Sequence, residues 1–207
     1  MLNILNERFY LYSNFEIIHE DVLKVNLEQL IREEKEKNEI ESVKIVANLP
    51  YYITTPIIMK LLEDKLDIES ITVMVQKEVA KRLTAMPGEK LAGAITYSVN
   101  YYCEAKEVIE VSKDCFIPAP EVDSEVIKLV LRKEPPVKVE NEEILFKLIK
   151  LSFMQRRNTF INGLSNGGLI DKESLKKILN EMNINENIRG ENLSLNQFAQ
   201  IANKICK

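Results

Sequence analysis

Residues 43–51 read Val-Lys-Ile-Val-Ala-Asn-Leu-Pro-Tyr, an apolar run that stops at Asn48-Leu49-Pro50-Tyr51. The β-branched residues predict a strand over residues 43–47, and the Asn and Pro that follow predict a turn. In open α/β sheets, ligands bind just beyond the carboxyl ends of the strands. The tetrapeptide is therefore a candidate site. The competing interpretation is an ordinary strand-ending turn with Tyr51 as a cover for the core.

The chemistry of these residues suits methylation of an exocyclic amine on an aromatic base. Such an amine is a poor nucleophile because its lone pair is delocalised into the ring. The side-chain oxygen of Asn48 and the carbonyl oxygen of Pro50 can each accept a hydrogen bond from the amine, which localises the lone pair without a strong base. Tyr51 offers a flat face on which the base can stack.

A second candidate segment is the stiff loop Phe116-Ile117-Pro118-Ala119-Pro120, which continues into Val122-Asp123-Ser124. Its prolines restrict the backbone, and Phe116 could oppose Tyr51 across a flipped base. The competing interpretation is a proline-rich connection with Phe116 in the core, which is the commoner place for a Phe.

The rest of the chain predicts an α/β domain followed by a small all-helical domain. We expect the end of a helix over residues 2–12, strands over residues 16–18, 43–47, 71–75, 94–102, 107–111 and 124–131, and helices over residues 27–37, 56–63 and 77–85. This alternation predicts a mostly parallel sheet covered on both faces. Glu134-Pro135-Pro136 breaks the pattern. Beyond it we expect helices over residues 141–157, 160–164, 172–182 and 195–204, the last capped by Ser194.

The charge distribution also divides the chain at Arg132. Residues 1–132 hold 16 Lys and Arg against 23 Asp and Glu, a net charge of −7, whereas residues 133–207 hold 12 against 9, a net charge of +3. Four basic residues lie within eleven positions that contain no acid, namely Lys147, Lys150, Arg156 and Arg157. They predict a stripe that binds RNA phosphates, and the alternative is a solvated helix face.

The composition excludes several classes of protein. No apolar run approaches the ~18 residues of a membrane span, and charged residues in the first twenty positions argue against a signal peptide. The single His19 argues against a Ser-His-Asp hydrolase, and the three cysteines have no C-x-x-C spacing. We expect a cytoplasmic protein without a metal site.

Five ordered motifs resemble the ribosomal RNA adenine N6,N6-dimethyltransferase family. The resemblance runs from about Glu16 to the C-terminus. The motifs are Asn48-Leu49-Pro50-Tyr51-Tyr52-Ile53-Thr54, Val75-Gln76-Lys77-Glu78-Val79-Ala80-x-Arg82-Leu83, Phe116-x-Pro118-x-Pro120-x-Val122-Asp123-Ser124, Phe153-x-x-Arg156-Arg157-x-x-x-x-Asn162-x-Leu164 and Leu193-Ser194-Leu195.

The resemblance implies a function, a cofactor and roles for particular residues. Residues 1–132 would be a Rossmann-like methyltransferase domain that uses S-adenosyl-L-methionine, and residues 133–207 a helical domain that binds small-subunit rRNA in the assembling subunit. Asn48 and Pro50 would bind the target N6 amine, with Asn48 also near the cofactor. Tyr51 and Phe116 would sandwich the adenine. Asp21 would bind the adenine amino group of the cofactor.

One family feature is absent from the printed sequence. The Gly-rich E-x-G-x-G-x-L cofactor loop and the acid that binds the cofactor ribose have no counterpart in residues 1–207. We therefore expect an incomplete Rossmann-like sheet, an N-terminally truncated chain, and at best weak binding of the cofactor by these 207 residues alone.

Two other functions remain open at this point. An erythromycin-resistance type of methyltransferase, which acts on large-subunit rRNA, shares the Asn-Leu-Pro-Tyr chemistry. A non-catalytic RNA-binding or ribosome-assembly protein would keep the docking surface without methyl transfer. For the enzyme we expect a monomer.

Overall fold

The computed structural model describes residues 2–154 and 158–206 of the chain. In these ranges it contains nine α-helices, three single-turn 3-10 helices and four strands. The helices are α1 (Leu2–Phe9), α2 (Leu27–Asn38), α3 (Thr54–Glu63), α4 (Lys77–Thr84), α5 (Ala94–Tyr102), α6 (Glu142–Met154), α7 (Phe160–Asn166), α8 (Lys172–Glu181) and α9 (Leu195–Ile205), and the strands are β1 (Lys44–Asn48), β2 (Ser70–Gln76), β3 (Cys103–Val111) and β4 (Ser124–Leu131). The predicted helical C-terminal region is confirmed, and Ser194 caps α9 by accepting a hydrogen bond from the Gln197 N–H.

The four strands form one mixed sheet in the order β1-β2-β4-β3. β1 runs parallel to β2, whereas β4 runs antiparallel to both β2 and β3. The α/β class is confirmed, but the expectation of a mostly parallel sheet is wrong, because β3 and β4 are joined by a loop and pair as an antiparallel hairpin. Asn48 at the end of β1 is in register with Met74, and Ser124 at the start of β4 is in register with Gln76. The end of β1 and the beginning of β4 therefore lie at the same end of the sheet.

The first hydrophobic core lies between one face of this sheet and helices α3, α4 and α5. The strands contribute side chains that alternate along their length and are completely or almost completely buried, namely Ile71, Val73, Val75, Ile127 and Leu129. Alternate residues of a strand point to opposite faces, so this burial defines the covered face.

The opposite face of the sheet is less covered. Val46 is 79% exposed, and Met74 and Val126 are half-buried. The expectation of a sheet buried on both faces is therefore wrong for the described residues.

Residues 94–102 form helix α5 and not the predicted strand. Its polar side chains bond to the end of α4: the Thr96 hydroxyl donates to the carbonyl oxygen of Arg82 (2.6 Å), and the Asn100 amide donates to that of Ala85 (3.0 Å). The Thr96 hydroxyl also accepts the N–H of Gly93 at the start of the helix (2.9 Å). These contacts join positions i and i+4 to one neighbour, which a helix allows and a strand does not. They override the preference of Val, Ile and Tyr for strands.

Residues 16–18 do not form the predicted strand either. The segment is non-helical and largely exposed, and no backbone hydrogen bond joins it to another described segment. A strand needs a neighbour that pairs with its N–H and C=O groups, and the described residues supply none here.

The second hydrophobic core joins α5 to the C-terminal helices α6, α7, α8 and α9. Tyr97 of α5 is completely buried, packs edge-on against Phe198 with the ring centroids 5.1 Å apart, and donates a hydrogen bond to the carbonyl oxygen of Leu193 (2.6 Å). Burial raises the pKa of Tyr97 to about 12, so this hydroxyl stays a donor at neutral pH. The predicted division of the chain at residue 132 stays a prediction, because α5 precedes it and shares this core.

Glu142 links α6 to the end of α3. Its carboxylate forms an ion pair with Lys65 (2.8 Å) and accepts hydrogen bonds from the hydroxyls of Tyr101 (3.1 Å) and Tyr102 (3.4 Å). Burial disfavours the carboxylate, but Lys65 and the two hydroxyls outweigh it and hold the pKa of Glu142 below its ordinary value. The N-terminus of α6 is thus fixed beside the C-terminus of α3.

The helix lengths bear on membrane insertion. The longest helix in the described ranges is α6, with 13 residues, whereas a span needs about 20 predominantly apolar residues. Among the described residues, no helix is both long and apolar enough to cross a membrane. The same residues contain no group of three His, Cys, Asp or Glu side chains suited to a metal ion.

Tyr97→Phe should lower the free energy of unfolding by about 1–3 kcal/mol, because it leaves the buried carbonyl oxygen of Leu193 without its donor. Urea denaturation measures this difference. Tyr10→Phe is the matched control, because Tyr10 is 76% exposed and its hydroxyl should contribute nothing. Equal stability of the two variants would show that the buried hydrogen bond does not stabilise the fold.

The link through Glu142 should weaken in acid. A carboxyl whose pKa is lower in the folded state stabilises the protein above its unfolded pKa, and this contribution disappears as the pH falls through the folded pKa. The difference in unfolding free energy between the native protein and Glu142→Gln should therefore be greatest near pH 7 and shrink as the pH falls below the ordinary pKa of a glutamate and through the lowered pKa of Glu142. A difference independent of pH would contradict the ion pair.

Candidate active site

The four residues predicted to bind the target base line one cavity. Asn48, Pro50, Tyr51 and Phe116, together with Leu49, line a cavity of about 310 Å³. The sheet topology explains this arrangement, because the end of β1 and the loop that leads into β4 meet at the same end of the sheet. Two segments that are distant in the sequence thus form a single site.

The two aromatic rings of the cavity belong to neither hydrophobic core. Tyr51 and Phe116 are both half-buried, so each ring has an accessible portion. The interpretations that placed Tyr51 over the core and Phe116 inside it are not supported by this burial. Both rings remain available to stack on a ligand.

Pro50 has the extended backbone that was expected, with φ −59° and ψ 133°. Its carbonyl oxygen already accepts two hydrogen bonds, from the N–H of Ile53 (3.1 Å) and from the hydroxyl of Thr54 (3.1 Å). A carbonyl oxygen has two lone pairs, so both are engaged. It can take a hydrogen bond from a substrate amine if the Thr54 hydroxyl turns away.

Asn48 is the freer acceptor. Its side chain is exposed, and it makes no hydrogen bond to any described residue. Its amide carries an oxygen that can accept from an amine and an NH₂ group that can donate to a second ligand. This combination fits the two positions predicted for Asn48, at the target amine and beside the cofactor.

Tyr51 is held at the tip of its side chain by Ser124. The Tyr51 hydroxyl and the Ser124 Oγ are 2.6 Å apart, and Ser124 is completely buried at the first position of β4. Sequence reasoning singled out neither Ser124 nor Thr54 as a partner of the site. The sequence shows that each residue has a hydroxyl group, but only the fold shows which atom that hydroxyl bonds to.

One carboxylate with a perturbed pKa lies next to Ser124 in the sequence of β4. Glu125 follows Ser124 and is buried, and desolvation together with the charges of Glu107 and Glu110 raises the pKa of its carboxyl. Consecutive strand residues point to opposite faces, so Glu125 does not share the direction of Ser124. The described residues that line the cavity include no carboxylate and no imidazole.

Asp21 is not part of this cavity. It is exposed and lies in the turn before α2, where its Oδ1 accepts the N–H of Leu23 (3.0 Å) and its carbonyl oxygen accepts that of Lys24 (2.8 Å). The second carboxylate oxygen has no hydrogen bond to a described residue. One oxygen is thus left for a ligand, and the cofactor role of Asp21 stays a prediction.

The predicted basic stripe is described only in part. Lys147 and Lys150 are exposed on α6, and neither forms an ion pair with a described carboxylate. Both line a groove of about 760 Å³ between α3, α5 and α6, whose lining is mostly apolar and includes Met59, Ile95 and Phe146. Arg156 and Arg157 lie outside the described residues.

This groove begins beside the cavity. Thr55 lines the groove and belongs to the first turn of α3, which directly follows the short helical turn that contains Tyr51. Thr55 at the start of α3 and Met154 at the end of α6 both line the groove, and the ion pair between Lys65 and Glu142 joins the other two ends, so α3 and α6 run in opposite directions. Lys150 therefore lies nearer the cavity than Glu142 does.

Comparison with known proteins gives a consistent assignment. The family model described as ribosomal RNA adenine dimethylase matches residues 1–207. The chain is 46% identical over 208 residues to a ribosomal RNA small subunit methyltransferase A from Geobacillus sp. strain WCH70, covering 99% of this chain and 71% of that protein. It is 50% identical over 196 residues to the protein of the same name from Lachnoclostridium phytofermentans, covering 94% of this chain and 67% of that protein.

Solved structures show the same fold. A dimethyladenosine transferase from Plasmodium falciparum has a TM-score of 0.73 and 22% identity, with 95% of this chain and 75% of that chain covered. The 23S rRNA methyltransferase ErmE has a TM-score of 0.65 and 21% identity, with 99% and 78% covered. At these identities the likeness concerns the Rossmann-like fold alone. The match to the family model over residues 1–207 and the identity to these relatives show that the chain belongs to the ribosomal RNA adenine dimethylase family.

Proposed function

We propose that this chain methylates the N6 amine of adenines in small-subunit rRNA, with S-adenosyl-L-methionine as the methyl donor. The observation that carries the proposal is the single cavity in which Asn48, Pro50, Tyr51 and Phe116 meet. Two stacking rings and an exposed amide oxygen are the groups that a flipped adenine requires. The relatives at 46% and 50% identity, both named as small-subunit methyltransferases, favour this substrate over the large-subunit alternative.

The residues of the cavity would act by position and polarity. Tyr51 and Phe116 hold the adenine between their rings, and Asn48 Oδ1 accepts a hydrogen bond from N6. When bound, S-adenosyl-L-methionine would supply a methyl group activated by its positively charged sulfur, to which the electron pair of the broken carbon–sulfur bond would return as the bond to N6 forms. N6 then loses a proton to solvent, because none of the described lining residues carries a carboxylate or imidazole.

Asn48 would act most strongly when charge develops on the amine. As N6 bonds to the methyl group it becomes positive, so an oxygen acceptor stabilises the transition state more than the free amine. Asn48 and Asp21 are the residues that would hold the methyl donor, through the amide of the first and the carboxylate of the second. The expectation of a cytoplasmic monomer stays a prediction.

Lys147 and Lys150 would bind the RNA that surrounds the target. Both lysines are exposed and unpaired among the described residues, and the groove that they line extends to Thr55 at the start of α3, four residues after Tyr51. Phosphate contacts position an RNA without reading its sequence. These lysines would therefore present the adenine to a site that itself carries no positive charge among its described lining residues.

Asn48→Ala should lower methyl transfer on the order of 10²-fold or more and leave RNA affinity nearly unchanged, because the lost acceptor acts mainly in the transition state. Radiolabelled methyl transfer and RNA titration measure the two quantities in the chain completed with an N-terminal segment that carries the cofactor loop. Asn196→Ala, an exposed change on α9, is the matched control. An equal loss of RNA affinity would make Asn48 structural, and undiminished transfer would remove it from the site.

Lys147→Ala with Lys150→Ala should weaken binding to small-subunit rRNA and flatten the salt dependence of the affinity by about one unit of slope for each lost phosphate contact. Lys172→Ala with Lys177→Ala removes the same charge from exposed positions of α8 and serves as the control. If both double variants lose affinity equally, the effect is one of net charge and the groove has no special part in RNA binding.

A further inference from the structure

Ser124 stands out because its hydroxyl bonds to Tyr51, one of the residues that line the cavity. Its Oγ lies 2.6 Å from the hydroxyl of Tyr51, which belongs to the turn after β1 and is 73 residues away in the sequence. Ser124 itself is completely buried, whereas Tyr51 is half-buried. The hydrogen bond therefore connects a fixed residue of the sheet to the far end of an aromatic side chain that is partly accessible.

The position of Ser124 is set by the strands on both sides of it. It is in register with Gln76 of β2 and with Val111 of β3. The preceding residue, Asp123, has a carbonyl oxygen that accepts the N–H of Lys77 (3.0 Å). An oxygen held in this way has little freedom to move, so it can serve as a fixed anchor.

The opposite ring depends on the same place. The Asp123 carboxylate accepts the N–H of Lys113 (3.0 Å), and the carbonyl oxygen of Lys113 accepts the N–H of Phe116 (3.2 Å). Phe116 is therefore tied to Asp123 through one intermediate residue, and Tyr51 is tied to Ser124 directly. Two consecutive residues, Asp123 and Ser124, therefore hold the segments that carry the two rings.

We propose that Ser124 is a positioning residue, whose hydrogen bond to Tyr51 holds that ring at the distance and angle from Phe116 at which one adenine fits between them. The proposal rests on the proposed function of the cavity. A free Tyr side chain can rotate and would have to be ordered again each time a base enters. When the ring is already fixed, the favourable free energy of stacking is not offset by the entropy cost of ordering the side chain.

The hydrogen bond can be removed from either end. Ser124→Ala deletes the anchor, and Tyr51→Phe deletes the hydroxyl while keeping the ring that stacks. Each variant should lower kcat/KM for methyl transfer about tenfold, the effect of one hydrogen bond of ordinary strength. The double variant should lose no more than either single variant, because both changes break the same contact.

Base stacking can be followed without the methyl donor. In an RNA with 2-aminopurine at the target position, the native protein should quench the fluorescence of that base when it flips and stacks. Ser124→Ala and Tyr51→Phe should quench it less. Ser70→Ala is the matched control, since Ser70 is a buried serine at the start of β2 whose hydroxyl has no described partner. It should leave quenching and transfer unchanged, and thermal melting reports whether each variant is folded.

The outcomes separate the positioning role from the function. Unchanged quenching and transfer in Ser124→Ala, or a double variant whose loss is the product of the single losses, would overturn the role of Ser124. If Ser124→Ala fails to fold, Tyr51→Phe alone decides, because its change lies at a half-buried position. If the native protein quenches the fluorescence of the 2-aminopurine RNA but transfers no methyl group to the same RNA with adenine at the target position, the proposed catalytic function fails while the stacking test of Ser124 still stands.

Discussion

Helix α5 belongs to both hydrophobic cores, and this shared burial fixes the C-terminal helices against the sheet. Val99 is completely buried in the core of the sheet, while Tyr97 and Tyr101 are buried among the C-terminal helices. Arg132 closes the end of α5, because its guanidinium donates to the carbonyl oxygens of Asn100 (3.3 Å) and Cys103 (3.1 Å). A single element with two buried sides cannot shift without disturbing both cores. The groove lined by α3, α5 and α6 therefore keeps a fixed relation to the strand ends that form the cavity.

The same helix shows what the sequence could and could not predict. Val, Ile and Tyr are frequent in residues 94–102, and taken alone they predict a strand. The helix forms because Thr96 and Asn100, four positions apart, bond to carbonyl oxygens at the end of α4, and because Tyr97 and Tyr101 face the second core. The spacing of four between Thr96 and Asn100 is visible in the sequence, but the carbonyl oxygens that bond to these side chains lie elsewhere in the chain. The helices with clear end signals, such as α9 after Ser194, were predicted within a residue or two.

The candidate site was predictable in its residues and not in its assembly. Asn48, Pro50 and Tyr51 stand at the end of an apolar strand, where polar and aromatic residues indicate a ligand. Phe116 was paired with Tyr51 by chemistry, whereas the structure brings the two together because β4 runs antiparallel to β2. In the mostly parallel sheet that the sequence predicted, the start of β4 would lie at the opposite end of the sheet from the end of β1, so Phe116 would not be brought to Tyr51. The partnership of Tyr51 with Ser124 depends on this strand direction and therefore could not be predicted.

The hydrogen bonds of the cavity divide its residues into a fixed frame and one free group. The Tyr51 hydroxyl is bound to Ser124, and the carbonyl oxygen of Pro50 is bound to Ile53 and Thr54. Only Asn48 presents a polar side chain that makes no hydrogen bond to a described residue. A group that is already saturated responds little when charge appears on a ligand, whereas an unpaired amide oxygen can strengthen its interaction as that charge develops. In the proposed function, the two rings would determine where a base lies and the free amide would determine how its amine reacts, so that binding and chemistry would depend on different residues of one small cavity.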